Sequence, residues 1–404
     1  MDTETIMIKR LPIALYLCLA VFEPASGQTR IFLDHARPTN TLSRPVASAD
    51  GTSQAGGSAP SVVAGPTLGF VFDRQAAAVR RVPGISGAAN IGGVLRIPIP
   101  LATAYTAPQQ DYVVGISAND GTVTLVLLSH GVASGTTPLT LVPPAPDRIA
   151  FSPSGDSLAL FYAGDEKLIA LTGIPQAPQI ASSWDLSSYG GSLTSLAIKD
   201  GGDALLGGIT QASGGVLVLF PAGGAANVVL PMSRPAAAQF LWGSRDAIVA
   251  DQAGGMVYLL KSVDGALQEL ALTQAENGLA APDLLAVDRS SRLALVAHSG
   301  GSSGLAIDLT NATAQPFECE CIISLLEPLN GDLTYRITDL RAGQFLTMDA
   351  SASPPRFQAI GTPPSHSGEA CPVGGRTSPR TGLPAPEFAG PDFCRAPENR
   401  EQPQ

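Results

Sequence analysis

Short apolar runs alternate with short polar turns along most of this chain. The pattern is clearest at residues 149–172, where one apolar run enters a Ser-Gly-Asp turn, a second leaves it, and a third follows the next polar turn. The same order recurs at residues 196–220 and 285–309. Runs of this length, separated by Gly, Asp and Asn, predict strands joined by tight turns. We therefore expect an all-β protein.

The pattern repeats with a nearly constant period. When each unit is aligned on the residue that opens its second strand, the spacings are 44, 45, 47, 43, 46 and 40 residues. The aligned residues are Thr67, Asp111, Asp156, Asp203, Asp246, Arg292 and Asp332. A period of about 40–45 residues is typical of four-stranded propeller blades. Residues 67–360 are therefore predicted to form a β-propeller of about seven four-stranded blades.

The first unit leaves the blade count open between six, seven and eight. Its innermost strand would have to come from residues 61–64 or from the far end of the repeats. In the other units, several second and third strands are apolar at nearly every position. A strand that packs between two neighbouring blades is buried on both faces and needs this composition.

The strand-turn-strand opening Phe-Ser-Pro-Ser-Gly-Asp at residues 151–156, with its degenerate copies, carries a resemblance to a known family. Residues 67–360 resemble secreted bacterial propellers of the WD40-like and YVTN (lactonase-like) kind. The resemblance implies blades arranged radially about a central channel. The chain contains neither the Gly-His and Trp-Asp signature of eukaryotic WD repeats nor Tyr-Val-Thr-Asn. The fold is therefore carried over without any catalytic residue.

Both ends of the chain depart from the repeat. Residues 1–27 combine Lys9 and Arg10, an apolar run and small residues near Gly27, which predicts a secretory signal peptide. Lipoprotein processing at Cys18 is disfavoured because Leu17 precedes it. Residues 28–66 read as a flexible leader, and residues 361–404 as a tail rich in Pro, Ser and Gly that is largely disordered. The expected location is secreted or periplasmic, without membrane insertion after cleavage.

The charge balance narrows the class of partner. Cleavage after residue 27 would leave 22 basic and 31 acidic residues, a net charge of −9. A mildly acidic surface argues against nucleic acid and anionic membranes as partners.

The mature chain would keep four cysteines, Cys319, Cys321, Cys371 and Cys394. An even number in an exported protein suggests disulfides. Residues i and i+2 of a strand point to the same face, and a direct bridge between them would be strained. Our hypothesis is that Cys319 and Cys321 bond Cys371 and Cys394 and so hold the tail. A reactive dithiol and a metal site are the alternatives.

The G-x-S-x-G sequence and the histidines of the repeats could carry chemistry, but each has a simpler explanation. Residues 300–304 fit G-x-S-x-G around Ser302, with His298 two residues earlier, but the motif lies between two predicted strands. A nucleophile elbow needs a strand-to-helix turn, so a hairpin loop is favoured. His130 and His298 are the only histidines in the repeats, too few for a zinc site.

Acidic residues recur in the turns of the repeats. They are Asp156, Asp200, Asp203, Asp246, Asp288 and Asp332. A ring of such carboxylates could hold calcium at one end of a channel. Asp also belongs in turns because it accepts hydrogen bonds from nearby backbone, and this explanation is preferred. No catalytic, metal or cofactor-binding residue is assigned.

A rigid ring with loops at both ends favours a binding role, with an extracellular protein, peptide or glycan as partner. The alternative is a lactonase-like hydrolase acting at the mouth of the channel. Several carboxylates converging there with His or Asn would favour the enzyme, whereas a lining of Ala, Gly, Ser and Leu would favour binding.

Overall fold

The computed structural model describes residues 65–273, 279–340 and 345–361. The predicted signal peptide, the tail from residue 362 and almost all of the leader lie outside the described residues. In the part of the chain that is described, no helix is long and apolar enough to cross a membrane.

The described residues form six four-stranded sheets, which we call blades 1 to 6, and one two-stranded sheet, which we call the short sheet. The short sheet contains β1 (Thr67–Asp73) and β2 (Ala78–Pro83). Blade 1 contains β3 (Leu101–Thr106), β4 (Tyr112–Ser117), β5 (Val123–Ser129) and β6 (Val132–Pro138). Blade 2 contains β7 (Arg148–Phe151), β8 (Ser157–Tyr162), β9 (Lys167–Thr172) and β10 (Gln179–Asp185). Blade 3 contains β11 (Ser192–Ile198), β12 (Ala204–Gln211), β13 (Gly214–Pro221) and β14 (Asn227–Met232).

The remaining blades follow the same plan. Blade 4 contains β15 (Pro235–Phe240), β16 (Ala247–Asp251), β17 (Met256–Lys261) and β18 (Gln268–Thr273). Blade 5 contains β19 (Leu284–Val287), β20 (Leu293–Ala297), β21 (Ser303–Asp308) and β22 (Thr313–Glu318). Blade 6 contains β23 (Glu327–Pro328), β24 (Thr334–Arg336), β25 (Phe345–Asp349) and β26 (Arg356–Ile360). Within every blade the strands pair antiparallel in chain order.

Apolar cores lie between consecutive sheets and join them into a ring. Seven clusters of buried side chains each join two neighbouring sheets, and the last two link the short sheet to blade 6 and to blade 1. Strands β8 and β16 are buried at every position, as expected for strands packed on both faces. First strands contact each other from blade 2 to blade 5, so they line the centre of the ring.

The all-β propeller fold is confirmed, and the blade count is six, one of the counts that the sequence left open, rather than the favoured seven. Six blades are complete, and the first repeat contributes only the short sheet. β1 contacts β3, the first strand of blade 1, in the same way that β12, the second strand of blade 3, contacts β15, the first strand of blade 4. β1 and β2 therefore take the places of the second and third strands of the incomplete unit. Residues 92–95 extend the sheet beyond β2, with the N–H of Leu95 donating to the carbonyl of Val79 at 2.8 Å.

Two side chains and one backbone N–H from the neighbouring blades occupy the edge of β1 where an innermost strand would pair. The backbone N–H of Phe70 donates to Oε1 of Gln110 at 2.7 Å, and Oγ1 of Thr106 donates to the carbonyl of Phe70 at 3.2 Å. The N–H of Asn330 donates to the carbonyl of Leu68 at 2.7 Å. These bonds satisfy backbone groups that the missing strand would otherwise pair, which explains how the ring closes with an incomplete unit.

Candidate functional site

Turns between first and second strands lie at one end of the ring, which we call the turn face. Asp200 joins three blades there, because Oδ1 accepts the N–H of Ser154 at 2.7 Å and Oδ2 accepts the N–H of Gly243 at 2.8 Å. In return, Oδ1 of Asp156 accepts the N–H of Gly201 at 3.2 Å. These carboxylates therefore connect blades through backbone donors.

A longer contact crosses the turn face. Nη2 of Arg289 in blade 5 donates to the carbonyl of Pro108 in blade 1 at 3.1 Å. Blades 5 and 1 are not neighbours, since blade 6 and the short sheet lie between them. The half-buried Arg289 side chain therefore spans part of the centre of the ring at this end.

The recurring turn carboxylates are mostly engaged in hydrogen bonds. Oδ1 of Asp288 accepts the N–H groups of Arg292 and Leu293, both at 2.7 Å, and Oδ1 of Asp246 accepts the N–H of Ser262 at 2.9 Å. Asp203 pairs with Lys199 at 2.8 Å. Among the described residues, no group of three or more His, Cys, Asp and Glu could hold a metal ion. This geometry supports the turn explanation and lends no support to calcium.

Asp156 should make the stability of the fold sensitive to acid. Burial raises its pKa, but hydrogen bonds from Ser157, Gly201, Ser152 and Ser154 outweigh burial and lower the pKa below its usual 3.8. A lowered folded-state pKa stabilises the fold above the unfolded pKa, and this contribution is lost as the pH falls through the folded pKa. We expect Asp156→Asn to reduce stability at pH 7 and to flatten its decline below about pH 4.

Urea denaturation midpoints measured from pH 7 to pH 2.5 would check this expectation. Asp332→Asn is the matched control, because its exposed carboxylate stands in the corresponding turn region of blade 6 without a hydrogen bond from any described residue. An Asp156→Asn profile parallel to that of the parent protein would contradict the assigned role.

The opposite end of the ring carries a large cleft. The cleft lies between blades 2 and 3, has a volume of about 660 Å³, and reaches Tyr105 of blade 1. Its apolar lining residues, which we call the apolar wall, are Ile149, Phe161, Leu186, Leu193, Leu196 and Ile209. Its polar lining residues include Tyr105, Asp147, Arg148, Glu166 and Tyr189. A cleft of this size and composition is suited to a small ligand or a short polymer segment.

The loop between β10 and β11 borders this cleft and is tied to both blades. The N–H of Leu186 donates to the carbonyl of Glu166 at 2.7 Å, which fixes the loop to the β8–β9 turn. Nε2 of Gln211 donates to the carbonyl of Tyr189 at 2.6 Å, which fixes it to blade 3. The ring of Tyr189 packs edge-on against Phe220, with 5.9 Å between centroids. These contacts set the shape of the cleft before any ligand binds.

The cleft carries charges that are not neutralised by neighbours. Oδ2 of Asp147 accepts the N–H of Ala163 at 2.6 Å. Arg148 and Glu166 are exposed, and neither takes part in an ion pair between described residues. The cleft therefore offers one cation and two carboxylates beside an apolar wall.

A second cavity, of about 250 Å³, lies along the centre of the ring. Its lining comes mainly from first strands and is largely small or aliphatic, including Thr194, Ser195, Ala237, Leu284 and Leu326. Its charged lining residues are Arg148 and Asp283, and Arg148 also lines the cleft. This lining therefore places one cation and one carboxylate among small and aliphatic side chains.

Asp283 and His298 lie close together, but not in a triad. Asp283 accepts hydrogen bonds from N–H and Oγ of Ser299 at 2.6 and 2.5 Å. Nδ1 of His298 lies 3.0 Å from the carbonyl of Ala281 and 3.6 Å from Oδ1 of Asp283. A catalytic triad instead places the serine on the histidine. The arrangement anchors the turn after β20.

The G-x-S-x-G sequence forms the hairpin between β20 and β21, as the loop interpretation predicted. Ser302 lies in the turn, where its carbonyl accepts the N–H of Cys319 at 2.8 Å. His130 lies in the tight turn between β5 and β6 with φ of 49°. These histidines therefore belong to turns of different blades.

The hypothesis that Cys319 and Cys321 bond the tail cysteines is wrong, because the structure joins the two in a disulfide. The prediction assumed that both lie on one strand. β22 ends at Glu318, the chain bends at residues 320 and 321, and the two Cα atoms lie 5.1 Å apart, within the normal disulfide range. Cys371 and Cys394 lie outside the described residues.

Sequence reasoning missed the residues of the cleft. Asp147, Arg148 and Glu166 are 1 to 19 positions apart in the chain and form no recognisable motif. Their position relative to the strands could have indicated the site, because all three residues lie at strand ends or in turns at one end of blade 2.

Comparisons with known proteins establish the fold. No family model matches the chain, and no curated protein matches it. A functionally unknown protein from Desulfotomaculum acetoxidans DSM 771 is similar in structure, with 13% identity over 72% of this chain and 94% of that chain and a TM-score of 0.51.

Two further solved structures resemble the chain less closely. Virginiamycin B lyase from Staphylococcus aureus has 11% identity over 67% of this chain and 90% of that chain, with a TM-score of 0.46. The WD40 repeats of RRP9 have 14% identity over 67% and 83%, also with a TM-score of 0.46. Strand order, inter-blade cores and the first of these likenesses identify the chain as a β-propeller of four-stranded blades.

Proposed function

We propose that this chain is an exported β-propeller that binds a ligand in the cleft between blades 2 and 3. The cleft itself carries the proposal, since it combines a volume of about 660 Å³, an apolar wall and unpaired charges on a rigid scaffold. The sequence of residues 1–27 supports export, with a protein, peptide or glycan outside the cytoplasm as partner. Membrane insertion and nucleic-acid binding are not part of the proposal.

A lactonase-like hydrolase of the YVTN kind is the alternative, and the channel lining favours binding over it. A hydrolase needs a base within hydrogen-bond reach of its substrate and groups that stabilise the developing charge. The described channel lining contains Arg148 and Asp283 among mainly small and aliphatic side chains. Hydrogen bonds from Ser299 occupy both oxygens of Asp283.

A thermal-shift screen of residues 28–404 against peptides, glycans and lactones, with and without a chelator, tests the proposal. Ligands that bind the native state raise its melting temperature by mass action. We expect the shift to disappear in Ser192→Trp, because an indole at this exposed position would fill the cleft. Ser188→Trp is the matched control, an exposed serine of the same loop outside the cleft lining.

The outcomes separate the two functions. Equal shifts in the parent protein and in Ser192→Trp would show that the cleft is not the binding site. Turnover of a lactone that survives in Ser192→Trp would support the hydrolase at the channel instead.

A further inference from the structure

The charges of the cleft, together with its apolar wall, point to a particular class of ligand. We infer that the cleft between blades 2 and 3 binds a short peptide with free termini and apolar side chains. This inference rests on the proposed function and narrows its ligand.

Arg148 is the group that would hold the peptide carboxylate. It opens β7 at the junction of the cleft and the channel, and it lines both. Its neighbour Asp147 is turned toward the N–H of Ala163, and no ion pair between described residues includes Arg148. A guanidinium presents paired donors that match the two oxygens of a carboxylate.

Two carboxylates in the cleft would repel a ligand that carries only negative charge. Asp147 and Glu166 line the same cleft as Arg148, which leaves it with one excess negative charge. A simple anion would be repelled by this excess, and a simple cation would leave Arg148 without a partner. A ligand with a carboxylate at one end and an ammonium at the other satisfies both, with Glu166 as the ammonium acceptor.

The apolar wall accounts for the body of the ligand. Leu193 pairs with Ile209 across β11 and β12, and Phe161 lies opposite Arg148 across β7 and β8. These side chains line the same cleft as Arg148 and Glu166. Apolar side chains of a peptide would lose their contact with water when they pack there, and this burial would add affinity. A glycan is more polar and would gain less from the same burial.

Titration calorimetry with the tripeptide Ala-Leu-Leu tests the inference on residues 28–404. Three forms are compared: both termini free, the amino end acetylated, and the carboxyl end amidated. We expect the free form to bind and each blocked form to bind about tenfold more weakly, as for the loss of one hydrogen-bonded charge contact. Arg148→Gln should weaken the free and acetylated forms about tenfold and leave the amide unchanged.

The second charge gives an independent check. Glu166→Gln should weaken the free and amidated forms but leave the acetylated form unchanged. Arg245→Gln is the matched control, because this exposed arginine lies in the turn between β15 and β16, away from the cleft. It should bind all three forms as the parent protein does.

Two results would overturn the inference. If a tripeptide blocked at both ends binds as tightly as the free form and Ser192→Trp abolishes both, the cleft binds ligands but does not read the termini. If no form binds at millimolar concentration, peptides are not the ligand class. The proposed function itself fails on a different result, namely screening hits whose binding survives in Ser192→Trp.

Discussion

Replacing Gln110 with leucine is expected to lower the free energy of unfolding by about 2–4 kcal/mol. The side chain is only 6% exposed and joins three sheets. Oε1 accepts the N–H of Phe70 in the short sheet, and Nε2 donates to the carbonyl of Pro328 in blade 6 at 2.9 Å. Leucine has a similar size but leaves both backbone groups without these partners, and an unpaired buried polar group costs about 1–3 kcal/mol.

Urea denaturation followed by tryptophan fluorescence measures this effect. Gln109→Leu is the matched control, because it changes the adjacent residue of the same turn, which forms no side-chain hydrogen bond with a described residue. Equal midpoints for Gln110→Leu and Gln109→Leu would mean that ring closure does not depend on this contact.

Replacing Phe220 with alanine is expected to cost about 3–5 kcal/mol and to weaken ligand binding in the cleft. The ring is fully buried in the core between blades 2 and 3 and packs edge-on against both Trp184 and Tyr189 at 5.9 Å. Its removal leaves a cavity behind a wall of the cleft. Tyr189 would lose the contact that fixes its ring, so the cleft would lose part of its preformed shape.

Phe345→Ala separates the two effects of this change. Phe345 is also fully buried, but it belongs to the core between blade 6 and the short sheet, away from the cleft. Both variants should show lower urea midpoints, while only Phe220→Ala should weaken ligand binding at a temperature where both remain folded. Equal affinity in the two variants would show that Phe220 does not support the site.

Prediction from sequence succeeded where the signal was local and repeated. The apolar runs around Asp156 and Asp203 became β8 and β12, which are buried as expected between neighbouring blades. Interpreting the Ser302 motif as a hairpin also succeeded, because five small residues between two apolar runs leave little besides a turn. Strand patterns of this kind can be recognised from the sequence because they involve residues that are close to each other in the chain.

Prediction failed where a strand was assumed to continue past its end and where a repeat was assumed to be complete. The bond between Cys319 and Cys321 depends on the chain leaving β22 at Glu318, one residue before the first cysteine. The prediction assumed that the strand continues through both cysteines, and this assumption gave the wrong geometry. The period also showed the first repeat as one more unit, although only two of its strands pair as a sheet.

The order of apolar runs and turn residues along the chain was sufficient to predict the all-β class, the period of the blades and the strands that are buried on both faces. These follow from apolar runs and turn residues, whose effect is local. Only the packed ring shows that Gln110 and Asn330 occupy the edge of β1 in place of a strand. Only the packed ring brings Arg148, Glu166 and the apolar wall into one cleft, because blade packing brings together side chains that no local pattern connects.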